Sequence, residues 1–269
     1  MNTSRDRRRR RRPPAVVVGA AVVASAFFVL PLAGLLQRVA WRDLWSDLTS
    51  TQALEALRLS VVCSLSATAL AVVFGVPLAW VLARASFPGR SIVRGIVLLP
   101  MVLPPVVAGV ALLAAFSRSG MPGQWLYDTV GVQLTFSTAG VILAETFVAM
   151  PFLIITVEGG FRALDRRYED VAATLGAGRF TAFRRITLPL VAPSLAAGAI
   201  LAWARALGEF GATITFAGNI EGRTQTLPLA VYLAREGGDT SQAVALSIVL
   251  LLISLAVLVI LRDRWFVRA

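Results

Sequence analysis

The chain has no histidine, no lysine and a single cysteine, Cys63. Histidine-based acid–base catalysis therefore has no side chain to use, and the His/Cys clusters that hold metals cannot be assembled. One cysteine forms no internal disulfide. Cys63 lies in an apolar run, where it reads as a small core residue. The missing lysine bears on nucleotide chemistry. A phosphate-binding loop of the form GxxxxGK[ST] needs that lysine, and no such loop occurs. Any ATP hydrolysis must then be supplied by another chain. Paired carboxylates and serine–lysine sets at catalytic spacing are also missing, which leaves an intramembrane enzyme little to work with. No metal and no cofactor is expected. Acids are few: 15 Asp and Glu stand against 26 basic residues, all of them Arg.

What the chain has in quantity is apolar sequence. It is 57% hydrophobic over 269 residues, with a mean hydropathy of +0.75. That composition points to an all-α, polytopic membrane protein. Ala15 to Leu36 is an uncharged run, longer than the ~7–15 residues of a signal-peptide core, so it reads as a retained first span. Further hydrophobic windows lie at about 56–83, 92–117, 138–157, 191–217 and 243–261, each near the ~20 residues a bilayer requires. With about six spans and both termini in the cytoplasm, 19 of the 26 Arg fall in cytoplasmic segments. Six lie outside (Arg38, Arg42, Arg58, Arg118, Arg223 and Arg235), and Arg205 sits within a span. This is the positive-inside pattern of a cell-membrane protein. Three parts follow: an Arg-rich cytoplasmic start (1–14), a transmembrane domain (15–261) with a cytoplasmic loop (158–190), and a short cytoplasmic end (262–269). The seven Arg of the start, directly before a span, suit topology and anionic lipid better than nucleic acid.

Within the spans, Pro104-Pro105, with Pro100 before it, should break or kink the third window. Trp41, Trp45, Trp125 and Tyr127 fall at outer boundaries, and Trp80 and Trp265 at inner ones, as interfacial anchors do. Arg205 and Glu209 are four apart in the fifth window, at a depth where charge is expensive. They read either as an ion pair that locks the helix or as a wall or gate of a pathway. Gly208 and Gly211 beside them permit close helix approach. Glu145, in the fourth window, is a further buried acid that would share Arg205 or be protonated.

One polar island, Leu164 to Pro189, interrupts the apolar pattern. Asp165 is a good N-cap, and Gly176 and Gly178 are stop signals. Leu164, Tyr168, Val171 and Leu175 share one face of the helix between them. As a bare pattern this fits a helix lying on the bilayer surface. The spacing of Asp170, Val171, Ala172, Gly176, Ile186, Leu188 and Pro189 resembles the "EAA" loop of permease subunits in ABC importers. Asp stands where that family has Glu, and Val where it has the first Ala. The resemblance implies a type I importer fold with a coupling helix that docks into a cytoplasmic ATPase. Tyr168, Glu169, Asp170, Ala172, Gly176 and Ala177 would make that contact.

A second resemblance is narrower. Arg205–Asn219 (RALGEFGATITFAGN), followed by Gly222-Arg223-Thr224-Gln225-Thr226-Leu227-Pro228, is similar to the permease subunit of molybdate ABC importers. So are Leu99-Pro100, Leu103-Pro104-Pro105 and Gly123–Asp128, and the likeness covers most of residues 55–261. Sulfate permeases share the Arg-Ala-Leu-Gly-Glu-Phe-Gly core, and the continuation favours molybdate. The resemblance implies a second permease copy, two ABC ATPase subunits and an extracytoplasmic molybdate-binding protein. A tetrahedral dianion passes best among hydroxyl, amide and backbone donors rather than bare cations. Arg205, Glu209, Thr213, Thr215 and Asn219 are the pathway and gate residues proposed, with Thr224, Gln225 and Thr226 as further donors. The outer segments carry six Arg against seven acids, so no cationic funnel attracts an anion and delivery would fall to the binding protein. The competing expectations are a sulfate or thiosulfate permease and an ion-gradient-driven transporter or channel.

Overall fold

The protein is described here by a computed structural model, in which residues 14–265 are placed. The roles read for Arg5 to Arg12 and Arg268 lie outside the described residues. In chain order the helices are α1 (Ala15–Gln37), α2 (Leu44–Thr49), α3 (Thr51–Arg84), α4 (Arg90–Val102), α5 (Pro105–Phe116) and α6 (Met121–Val130). They continue with α7 (Thr138–Ala163), α8 (Arg167–Thr174), α9 (Arg179–Ala182), a π-helical turn (Phe183–Thr187), α10 (Leu188–Leu207), α11 (Gly211–Phe216), α12 (Leu227–Glu236) and α13 (Thr240–Trp265). No strand occurs among the described residues.

Long apolar runs become long helices. Five are long and apolar enough to cross a membrane: α1, α3, α7, the run Arg179–Leu207 and α13. Hydroxyl caps start two of them. Ser50 Oγ accepts from Ala53 N–H at 3.3 Å to begin α3, and Ser137 Oγ accepts from Gly140 N–H at 3.1 Å to begin α7. The third hydrophobic window is not one helix. It breaks at Leu103-Pro104, and α4 and α5 meet with a 120° bend. Leu103 has the extended backbone that a following proline enforces, and Pro105 opens α5 where its missing N–H costs nothing.

The bent pair still passes from one end of the bundle to the other. Arg94 of α4 contacts Glu158 near the end of α7. Ala108 and Leu112 of α5 pack with Ala144 and Val148 near its start. Residues 144 and 158 of one helix stand about 21 Å apart at 1.5 Å per residue. The pair therefore counts as a sixth, broken span. The fifth window also stops early: α10 ends at Leu207, and α11 restarts at Gly211.

The core is built by α3, α7 and α10. Ala67, Ala71, Ala79, Ala149 and Ala202 are fully buried there beside Leu82, Leu153 and Phe161. Small side chains let helices approach where lipid gives no hydrophobic drive. Large apolar side chains point outward instead, as a hydrocarbon surround permits. In α1 no residue is buried, and it meets the rest chiefly through Leu35, which packs beside Val39 on Val244 and Ile248.

Candidate functional site

Two places gather the residues singled out in the sequence, and they lie at opposite ends of the bundle.

At the first, α10 stops at Gly208 and the chain turns into α11. The next residue, Glu209, is 1% exposed. Its Oε1 accepts from the backbone N–H of Ala212 at 2.8 Å, so the carboxylate caps the short α11. Its Oε2 lies 2.6 Å from Nη2 of Arg205, off hydrogen-bonding alignment, and the contact is ionic. A buried acid thus holds a helix stop and a helix start together. Of the two glycines, only Gly211 is needed for packing. A Cβ there would stand 2.7 Å from Cβ of Pro105, and Gly109 on α5 faces Thr215 and Ala212 as tightly. Gly208 meets only its own helix, at the carbonyl of Ala204.

The polar residues divide into two groups. Thr213 is fully buried with its hydroxyl unpartnered, as are Thr226 Oγ1 and Asn219 Oδ1. Thr215 donates to the carbonyl of Gly211 at 2.8 Å. Thr224 and Gln225, the further donors expected for an anion, are buried, and their oxygens accept structural hydrogen bonds. Thr224 Oγ1 accepts from Ile220 N–H at 2.8 Å, and Gln225 Oε1 accepts from Gln52 at 3.3 Å. Leu227 N–H donates to Ser60 at 2.6 Å, which pins the following turn to α3. Arg205 is paired with Glu209, and Glu145 forms no ion pair among the described residues. Glu145 is 1% exposed, with Oε2 unpartnered.

At the other end lies α8. Asp165 accepts from Arg167 N–H at 3.0 Å, so it does cap the helix, which runs from 167 to 174. Gly176 ends it at φ +82°, the left-handed region glycine favours. Gly176 N–H donates to Ala173 O and Ala177 N–H to Ala172 O, the two bonds of a Schellman stop. The apolar stripe faces away from the bundle: Tyr168, Val171 and Leu175 are 55%, 58% and 82% exposed. Asp170 and Gly176 are exposed too, and Ala177 is half-buried. Glu169 and Ala172 face inward. Glu169 accepts from Thr187 at 2.9 Å and lies 3.6 Å from Arg84 at the end of α3. Arg84 also donates to Leu164 O at 3.0 Å, and Arg166 to Arg84 O at 3.4 Å. The helix is therefore tied to α3 and the π-helical turn on one side and bare on the other.

Sequence reasoning missed two things here. One is that Glu169 anchors α8. The other is the cluster in which Glu158 receives both Arg94 and Arg162, the latter at 2.8 Å. The i,i+4 spacing of Glu158 and Arg162 was a visible signal; the Arg94 contact, from another helix, left none.

Comparison with known proteins agrees with this arrangement. Residues 72–269 match the family described as "Binding-protein-dependent transport system inner membrane component". The chain is 49% identical over 237 residues to the molybdenum transport system permease protein ModB of Mycobacterium bovis, covering 87% of this chain and 88% of that protein. It is 42% identical over 214 residues to ModB of Escherichia coli K12, covering 78% and 93%. It is 36% identical over 233 residues to the sulfate transport system permease protein CysT of the same organism, covering 86% and 84%. Among solved structures, it is similar to a bacterial ABC transporter involved in import of the acidic polysaccharide alginate. That match has a TM-score of 0.73 at 18% identity, covering 95% of each chain, a likeness of fold. The chain belongs to the family of binding-protein-dependent transport system inner membrane components.

Proposed function

We propose that this chain is the membrane-spanning permease subunit of an ATP-driven importer for molybdate, with tungstate as a close analogue. Two copies form the pathway, two ATPase subunits dock beneath, and a separate extracytoplasmic protein delivers the oxyanion. The chain itself is non-catalytic. Both termini are cytoplasmic, residues 15–261 form the permease domain, and the 158–190 loop carries the coupling helix.

The observation that carries this reading is the two-sided character of α8. Its inner side is tied down by Glu169 and Ala172, and its outer side offers Tyr168, Val171 and Leu175 to a partner. A self-contained secondary transporter has no use for such a helix. Asp170, Gly176 and Ala177 complete the docking end. At the opposite end Arg205 and Glu209 form the gate frame, and Thr213, Thr215 and Asn219 lie beside the break. The unpartnered Thr213 hydroxyl is a donor that a passing dianion can engage, and the Asn219 side-chain carbonyl accepts from the water around it. The relatives named for molybdenum share more of the sequence than the one named for sulfate.

Uptake of labelled molybdate by cells carrying the complete complex tests the proposal. Tungstate should compete and sulfate should not. Sulfate import is the second reading, favoured by the shared tetrahedral geometry of the anions, and equal competition by sulfate would select it. Purification without any co-purifying ATPase would favour a gradient-driven transporter instead.

A further inference from the structure

A recess of roughly 560 Å³ opens where α3 gives way to α4, at the end of the bundle that also carries α8, and none of the pathway residues lies in it. Phe87, Arg90, Ser91, Arg94 and Arg162 line it. Three of these side chains are guanidinium groups, and one carboxylate answers them. Arg94 and Arg162 both converge on Oε1 of Glu158, which is buried. Arg90 has no acidic partner among the described residues. Its Nη2 reaches only the carbonyl of Ala83, at 3.5 Å, and its Nε is buried without a partner. The recess thus carries two positive charges in excess. The first turn of α4 adds to this. Gly89 precedes it without a capping side chain; Arg90 N–H donates to Phe87 O at 3.4 Å, and the N–H groups of Ser91 and Ile92 are left for an anion.

The outer face of α4 says where such an anion would come from. Ile92, Ile96 and Leu99 share that face and are 66%, 64% and 51% exposed. Hydrocarbon accommodates such a stripe. It starts within one helical turn of Arg90, so the mouth of the recess lies at headgroup level. We propose that the recess of Arg90, Arg94 and Arg162 binds the phosphate headgroup of an anionic phospholipid. The charge excess matches a lipid with two phosphates best. A lipid held there bridges the start of α4 to the end of α7, beside the tie that anchors α8.

The test uses the full-length protein in nanodiscs of phosphatidylcholine doped with cardiolipin, reading retained lipid by native mass spectrometry. Cardiolipin should be enriched over phosphatidylcholine. The enrichment should fall about fivefold in Arg90→Gln, the worth of one Arg at an anionic surface, and return in Arg90→Lys. All three proteins keep the Arg-rich start, so its background binding cancels. Should Arg90→Gln misfold, a cardiolipin with a photoactivatable headgroup on the unaltered protein gives the same answer, by labelling residues 83–94 or the end of α7 around Arg162. No enrichment, equal enrichment in Arg90→Gln, or labelling confined to other segments would overturn the proposal. Displacement of the lipid by equimolar inorganic phosphate would also overturn it, and would make the recess a site for free oxyanions.

Discussion

Both ends of this molecule rest on an arginine paired with a glutamate, and the two pairs do opposite work. Arg205 and Glu209 are neighbours on one turn, and the carboxylate is 1% exposed. Beside that pair α11 packs closely on α5, where Gly211 and Gly109 have no room for a Cβ. Arg84 and Glu169 come from distant parts of the chain, stand 3.6 Å apart, and leave most of α8 uncovered. The first pair makes a break in a span tolerable. The second fastens a surface helix whose apolar face stays bare. An ion pair in a membrane protein is thus read from what its neighbours leave exposed, rather than from its own geometry.

Substitutions can separate the two roles. Glu209→Ala should have the largest effect on stability, since it leaves Arg205 unpaired and the Ala212 N–H uncapped. A loss of about 3–5 kcal/mol is expected for stripping one partner from a buried pair. Denaturant unfolding in detergent measures it, and Glu209→Gln, which keeps an acceptor for Ala212, should lose less. Gly211→Ala should cost about 1–3 kcal/mol, because the new methyl meets Pro105 and backbone that cannot yield. A double-mutant cycle on Arg84→Gln and Glu169→Gln should give a coupling of about 1 kcal/mol, with ATP hydrolysis by the complex becoming uncoupled from uptake. Leu175→Ser should shift stability by less than about 0.5 kcal/mol, as an exposed site does. It should nevertheless abolish uptake. If Leu175→Ser instead destabilised the protein as much as Gly211→Ala, the contrast between the two ends would collapse.

Much of this was legible in the sequence, and the physical reason differs from part to part. Spans follow from run length, because a bilayer demands a minimum of apolar residues. The limits of α8 follow from Asp165 and Gly176, whose capping chemistry is local. The Arg205–Glu209 pair follows from its i,i+4 spacing. The break after Leu207 was hidden because residues 191–217 are apolar on both sides of it, and hydropathy is blind to a turn. Periodicity found the stripe of Tyr168, Val171 and Leu175 without telling which way it faces. That direction depends on Glu169 reaching Arg84 and Thr187, contacts made only on folding. That the oxygens of Thr224 and Gln225 accept from Ile220 and Gln52 could not be seen in the sequence.

The central claim is that the bare face of α8 points into the cytosol and meets an ATPase there. Cys63 is fully buried, so a single Tyr168→Cys substitution supplies one reactive thiol. A membrane-impermeant maleimide should label it in inverted vesicles and leave it untouched in intact cells, and a bound ATPase should protect it. Labelling from outside intact cells would contradict the account.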